Sequence, residues 1–188
     1  GNTRRKGRNN APVASEGDPG SPYAIGAAEG GHDALHPELG TIEDFRALVA
    51  TCLEYRLELA LDFAVQCSPD HPWLTQHPEW FKWRPDGSMG TAGYQDIVAP
   101  DFACATRSEL WNAFRDVMLF WIDHGVTIFA IDNHDTALFS FWEWLVRDIR
   151  RRHPEVILFS KTYTRPKLMK GLAKLGFAQS FSYFPWRT

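Results

Sequence analysis

The spacing of apolar and polar positions divides the chain into alternating helices and strands. From Thr41 to Tyr55, Phe45, Leu48, Val49 and Leu53 recur at helical intervals, which predicts a helix with one buried stripe. Thr41 stands at the N-cap position, and Asp44 three residues later completes a capping box. Leu57 to Val65 is mostly apolar and predicts a buried strand. It contains Asp62, and a carboxylate inside such a strand must be hydrogen-bonded or paired, so Asp62 is expected to be a structural or supporting acid. Thr106 to His124 is the clearest helix, with Thr106 and Glu109 as a second capping box and Gly125 as its stop. Its buried stripe is Leu110, Phe114, Val117, Met118 and Trp121. The strand Thr127 to Ile131 follows and delivers Asp132 and Asn133 at its exit. A helix from about Leu138 to Arg152 turns Phe141, Trp142, Leu145, Val146 and Ile149 inward, and Pro154 breaks it. Val156 to Ser160 is a further buried strand, delivering Lys161. A short helix, Pro166 to Leu175, and a strand within Phe177 to Phe184 complete the pattern.

Strands alternating with helices imply a parallel α/β sheet. Only three or four strands are visible, whereas a closed eight-stranded barrel takes about 250 residues. The chain is therefore a small open sheet or part of a barrel. In a parallel α/β barrel the functional face lies where strands end and loops begin, which makes Asp132 a candidate nucleophile. The plainer alternative is that Asp132 and Asn133 are turn formers. Two stretches interrupt the alternation. Residues 1–40 are irregular and open on Arg4, Arg5, Lys6 and Arg8, which alone would be a solvated basic arm. Cys67 to Ala105 is a long strand-to-helix excursion holding Trp73, Trp80, Phe81, Trp83 and Tyr94.

Composition narrows the function classes. A formal net charge of −3 argues against nucleic acid. No apolar run is long enough to span a bilayer, and no secretory leader is visible, so no membrane is expected. Cys52, Cys67 and Cys104 are odd in number and lack metal-ligand spacing, which suits reduced thiols in the cytoplasm. His32 and His36 stand four apart, but Pro37 follows and no third ligand is obvious, so no metal is expected. Aromatics reach 14% with eight Trp; core packing explains most of them, and flat faces for sugar rings are the alternative.

Several ordered strings carry a resemblance. They are KGRNN at Lys6, GDPGSPYAIGAAEGGHDALHPELGT from Gly17, ALDFAVQCSPDHPW from Ala60 and HPEWFKWRPDG from His77. YQDI at Tyr94, FWIDHG at Phe120, FAIDN at Phe129, FWEWL at Phe141, TRPK at Thr164 and LAKLGFAQSFSYFPWRT at Leu172 continue the series. Together they resemble the α-amylase superfamily (glycoside hydrolase family 13), and within it the enzymes that transfer maltosyl units from α-maltose 1-phosphate to α-1,4-glucans. The resemblance implies a (β/α)₈ barrel domain of which this chain is the middle, from about the second strand's loop to just after the fifth. Residues 1–40 would form active-site loops and 41–188 the β/α units. A sheet cut in this way has open edges, so the isolated chain is expected to be poorly stable.

The resemblance also implies roles. Asp132 falls on the nucleophile of a retaining double displacement, which pairs a nucleophile with an acid/base carboxyl about 5–5.5 Å away. Lys6 falls on a contact to the donor phosphate. Gln66, Asp96 and Asn133 fall on hydrogen-bonding positions around the donor's sugar and phosphate, and Tyr94 lines the same pocket. The partners implied are maltose 1-phosphate and an α-1,4-glucan acceptor, with no cofactor; a homodimer stays open for the full-length family. The departures weigh against activity. The acid/base Glu position holds Lys161, and an ammonium group is a poor acid/base next to a carboxylate. The expected reading of Lys161 is an ion pair with Asp132 in a dead site. The Arg two residues before the nucleophile is replaced by Ala130, and the Pro after Asp-Asn by His134. The loop before Tyr94 is shorter than in the family and lacks its Asn-Pro-Pro segment. The superfamily's third carboxylate falls beyond Thr188. Two functions stay open: a maltosyltransferase, and a catalytically inactive or truncated carbohydrate-binding remnant.

Overall fold

The computed structural model describes residue 15 and the segments 24–89, 97–132, 137–161 and 166–181. In order, these form a 3₁₀ turn Pro37–Leu39, α1 Ile42–Glu54, β1 Ala60–Ala64, α2 Trp73–Gln76, a 3₁₀ turn Pro78–Trp80 and α3 Arg107–Asp123. Then follow β2 Ile128–Asp132, α4 Phe139–Arg152, β3 Ile157–Lys161, α5 Pro166–Ala173 and β4 Gln179–Phe181. The strands form one four-stranded parallel sheet in the order β1-β2-β3-β4. Two compact units result. One draws on the described residues of Gly1–His36 and Gln66–Leu110, the other on those of Pro37–Val65 and Trp111–Thr188, which hold the sheet.

Local chemistry places the elements where the pattern requires. The Thr41 amide donates to Asp44 Oδ2 at 2.8 Å, and the Asp44 amide donates to Thr41 Oγ1 at 3.3 Å, a reciprocal capping box that starts α1. Gly125 ends the α3 region at φ 93°, a conformation that L side chains adopt only with strain. The buried stripe of α3 is the expected one, with Leu110, Phe114 and Met118 fully enclosed. So is that of α4, where Phe141, Trp142, Leu145, Val146 and Ile149 are buried. The two helices meet through aromatic edges, Phe114 on Phe141 with ring centroids 6.0 Å apart.

α1 differs from expectation. Of its apolar stripe only Val49 is buried, while Leu48 and Leu53 are 50% and 64% exposed. Helical periodicity marks which residues share a face but cannot say how much of that face meets a neighbour. α1 touches the α3 region through Phe45 on Trp121, Arg46 on His124 and Val49 beside Gly125. The rest of its stripe extends past those contacts. β1 lies at one end of the strand order, with a described neighbour on one side only, and its first residues are accordingly exposed or half-buried. No described helix is long and apolar enough to cross a membrane.

The contrast between α3 and α1 is measurable by urea unfolding of the chain. Phe114→Ala is expected to cost about 3–5 kcal/mol through lost burial and a cavity. Leu53→Ala, although on an equally apolar stripe, is expected to change stability by less than about 0.5 kcal/mol.

Candidate functional site

In a parallel ladder, register partners point to the same side of the sheet, and neighbours along a strand point to opposite sides. Asp62 pairs with Ala130, Ala64 with Asp132, and Asp132 with Lys161. Asp62, Ala130, Asp132 and Lys161 therefore share one face. The opposite face carries Phe63, Phe129, Ile131, Leu158 and Ser160, all buried. On the first face Ala64, Ile128 and Ala130 are buried as well, and Asp132 and Lys161 are half-buried at the carboxyl ends of β2 and β3. Parallel α/β sheets bind ligands at this end of their strands.

Lys161 Nζ donates to Asp62 Oδ1 at 2.6 Å. The two groups sit on β3 and β1, so the contact passes over β2 at Ala130, whose methyl group leaves the path open. The expectation for Lys161 is an ion pair with Asp132, its register neighbour; the contact seen is with Asp62. Asp62 is correspondingly not the buried strand acid that the apolar run suggested. Its side chain is 59% exposed, because β1 lies at the end of the sheet. At that exposure an ion pair stabilises by at most about 1 kcal/mol.

Gln66 lies in the other unit, buried, and its Oε1 has no hydrogen-bond partner among the described residues. A buried acceptor left unpaired costs about 1–3 kcal/mol, so a donor brought by a ligand or water would be welcome there. Lys6, Tyr94, Asp96 and Asn133 lie outside the described residues. Among the described aromatics of the long excursion, packing and ring contacts account for Trp80 and Phe81, while Trp83 stays partly exposed. Trp80 and Phe81 are buried, His77 stacks on Trp80 with ring centroids 3.9 Å apart, and Trp83 donates from Nε1 to the Pro78 carbonyl at 2.7 Å.

One cluster escaped the sequence pattern. Local spacing pairs His32 with His36, but His36 is exposed and His32 meets His71 instead, with Nδ1 and Nε2 2.9 Å apart. Cys67 is close to both. These residues are 39 and 35 positions from His32, so local spacing could not pair them; the HDALHP and CSPDHPW strings were the available signal.

Comparisons with known proteins bear on the whole chain. No protein-family model matches it. All of the chain aligns at 57% identity with an α-1,4-glucan:maltose-1-phosphate maltosyltransferase of Pseudomonas aeruginosa, covering 29% of that protein. It aligns at 58% with the corresponding protein of Burkholderia pseudomallei, covering 17% of it. This chain is a homologue of one segment of those maltosyltransferases. It spans less than a third of the length of these two relatives. Among solved structures, an α-amylase from Lactobacillus plantarum superposes with a TM-score of 0.71 at 27% identity, over 94% of this chain and 38% of that one. A maltogenic α-amylase from Thermotoga neapolitana gives 0.72 at 23% identity, over 89% and 37%, which supports the fold alone. The four parallel strands thus match part of an α-amylase catalytic domain.

His71 supplies a pH dependence. Burial holds its pKa at about 4, below the ordinary 6.5, against the opposing charges of Asp33 and Asp70. Between those values an unfolded chain binds a proton that the folded one refuses. Stability from this group is therefore intact above about pH 6.5, declines as pH falls towards 4 and then levels off, a loss of up to about 3 kcal/mol. Urea unfolding at pH 7 and pH 4.5 is expected to show that decline, and His71→Gln to flatten this part of the profile.

Proposed function

We propose that this chain is the nucleophile-bearing part of a maltosyltransferase barrel, which moves maltosyl units from α-maltose 1-phosphate to α-1,4-glucans by a retaining double displacement. The observation that carries the proposal is the 57% identity along the whole chain to a maltosyltransferase of that description. On this reading β1 to β4 are consecutive strands of a (β/α)₈ barrel, from about the second or third to the fifth or sixth. The chain then forms one incomplete catalytic domain, with residues 1–40 as active-site loops. The grouping of Asp62, Asp132 and Lys161 on one face of the sheet supports this, because that face would be the barrel interior.

In the first step the Asp132 carboxylate attacks the anomeric carbon, a glycosyl ester forms, and the electron pair of the breaking C–O bond leaves with phosphate. Phosphate leaves readily, so this step needs little acid. Lys6 would meet that phosphate, and Gln66, Tyr94, Asp96 and Asn133 would hold the sugar and phosphate oxygens. The unpaired Oε1 of Gln66 supports a hydroxyl donor there. In the second step a glucan hydroxyl attacks the ester and its proton must pass to a base. Lys161, donating to Asp62, presents an ammonium without a lone pair. The second step is where this chain departs from the retaining scheme. A cytoplasmic setting and a homodimer of the longer protein belong to the same reading; the free thiols of Cys52, Cys67 and Cys104 support the first.

That ammonium favours a second reading, in which the site binds the sugar phosphate without turnover. Phosphate release from α-maltose 1-phosphate with glycogen separates the two. The transferase reading expects release that Asp132→Asn abolishes and that Lys161→Glu raises by roughly 10²-fold, the usual worth of an acid/base group. Saturable binding without release, in both the wild-type chain and Lys161→Glu, supports the second reading. Absence of any binding by a folded chain overturns both.

A further inference from the structure

We propose that His32, Cys67 and His71 form a binding site for a zinc-class divalent cation, inside the unit that does not hold the sheet. Two imidazoles and one thiolate are a donor set that such ions favour. One donor atom of each residue lies within 4.8 Å of the other two, and all three residues are buried. A tetrahedral zinc ion sets such atoms roughly 3.3–3.6 Å apart, so a gap at the 4.8 Å bound closes by about 1 Å while the 2.9 Å between His32 Nδ1 and His71 Nε2 widens by a few tenths.

The backbone holds the three residues in place from separate parts of the chain. Cys67 exchanges backbone hydrogen bonds with Val98 at 2.8 Å in both directions, and the Ser68 amide donates to the Ile25 carbonyl at 2.8 Å. These bonds tie the segment leading to His32 beside the one leading to His71. The His71 ring then packs against Gly26 and Gly31, where an added Cβ would come within 2.5 and 2.9 Å of it. The charges of Asp33 and Asp70 act on His71 and favour a cation, and a water molecule would complete four-coordination.

Without metal the same groups satisfy one another differently. The Trp73 amide donates to His71 Nδ1 at 3.1 Å, which leaves the ring hydrogen on Nε2 and aims it at His32 Nδ1. Metal binding reverses that tautomer. The Nε2 proton leaves, Nδ1 takes one up and gives up the Trp73 amide, and the freed Nε2 lone pair turns to the ion. The lone pair of His32 Nδ1 turns from His71 to the ion as well. Cys67 loses its thiol proton to solvent, so each ion bound releases one proton net. Two neutral hydrogen bonds are exchanged for three coordinate bonds.

The test is titration of the reduced 188-residue chain with Co²⁺, followed by Zn²⁺. One equivalent of Co²⁺ is expected to bring intense visible bands of a four-coordinate ion and a near-ultraviolet thiolate-to-cobalt band. Zn²⁺ should bleach both and raise the melting temperature. Cys67→Ser is expected to lose the thiolate band. If that variant does not fold, Cys52→Ser/Cys104→Ser assigns the band by retaining it. Nitrogen NMR should show the His71 hydrogen on Nε2 before Zn²⁺ and on Nδ1 after. A folded chain with no thiolate band, a band that survives Cys67→Ser, or an Nε2 hydrogen retained at saturating Zn²⁺ overturns the proposal.

Discussion

Parallel pairing of β1, β2 and β3 in one register separates the two faces of this sheet. On one face Phe63, Phe129, Ile131 and Leu158 are removed from water, and burial of that kind contributes about 25 cal/mol per Å². On the other, the same pleat lines up Asp62, Ala130, Asp132 and Lys161, because a period of two leaves no alternative once the apolar face is set. A slip of one residue in the β1–β2 pairing would turn Asp62 to the side of Phe129, and one in the β2–β3 pairing would do the same to Lys161. The charged groups are therefore held by the packing on the far side more than by their own exposed ion pair.

That arrangement makes Ala130 as informative as the charges. A long side chain there would stand between β1 and β3, where the Lys161–Asp62 contact now runs. With alanine, one ammonium serves a carboxylate two strands away. The cation that the resemblance expects at position 130 is missing, and a cation appears at position 161 in place of a carboxyl. The net effect on this face is a lysine paired to Asp62 at the position where the resemblance expects an acid.

The unit built around Cys67 obeys a different constraint. It has few regular elements, and isolated bridges such as Ile25 with Cys67 and Cys67 with Val98 hold its segments together. Its interior is lined with histidine and tryptophan, so every ring nitrogen needs a partner or a cost follows. His71 meets this with the Trp73 amide on one side and His32 on the other. Trp80 Nε1 and Gln66 Oε1 do not find partners among the described residues, and both lie in this unit.

How much of this was legible in the sequence follows from the range of the forces involved. Capping by Thr41 and Asp44, the buried stripes of α3 and α4, and the succession of parallel strands rest on residues within a turn or two of each other, and they stand in the structure as the pattern implies. The homology to the maltosyltransferases was carried by ordered strings and needed no coordinates. Three things waited for the tertiary structure. Leu48 and Leu53 share a face with Val49, but only the docking of α1 beside Gly125 decides which of them is covered. Lys161 reaches Asp62, 99 residues away, because the register of three strands brings both to one side across a small residue. His32 finds His71 and Cys67 because backbone bridges join segments that no local period connects. By itself the sequence determined which segments become helices and strands and which side of each is apolar, since those depend on short-range periodicity. The tertiary structure alone decided which charged and metal-binding groups meet, since that depends on register and on contacts between segments distant along the chain.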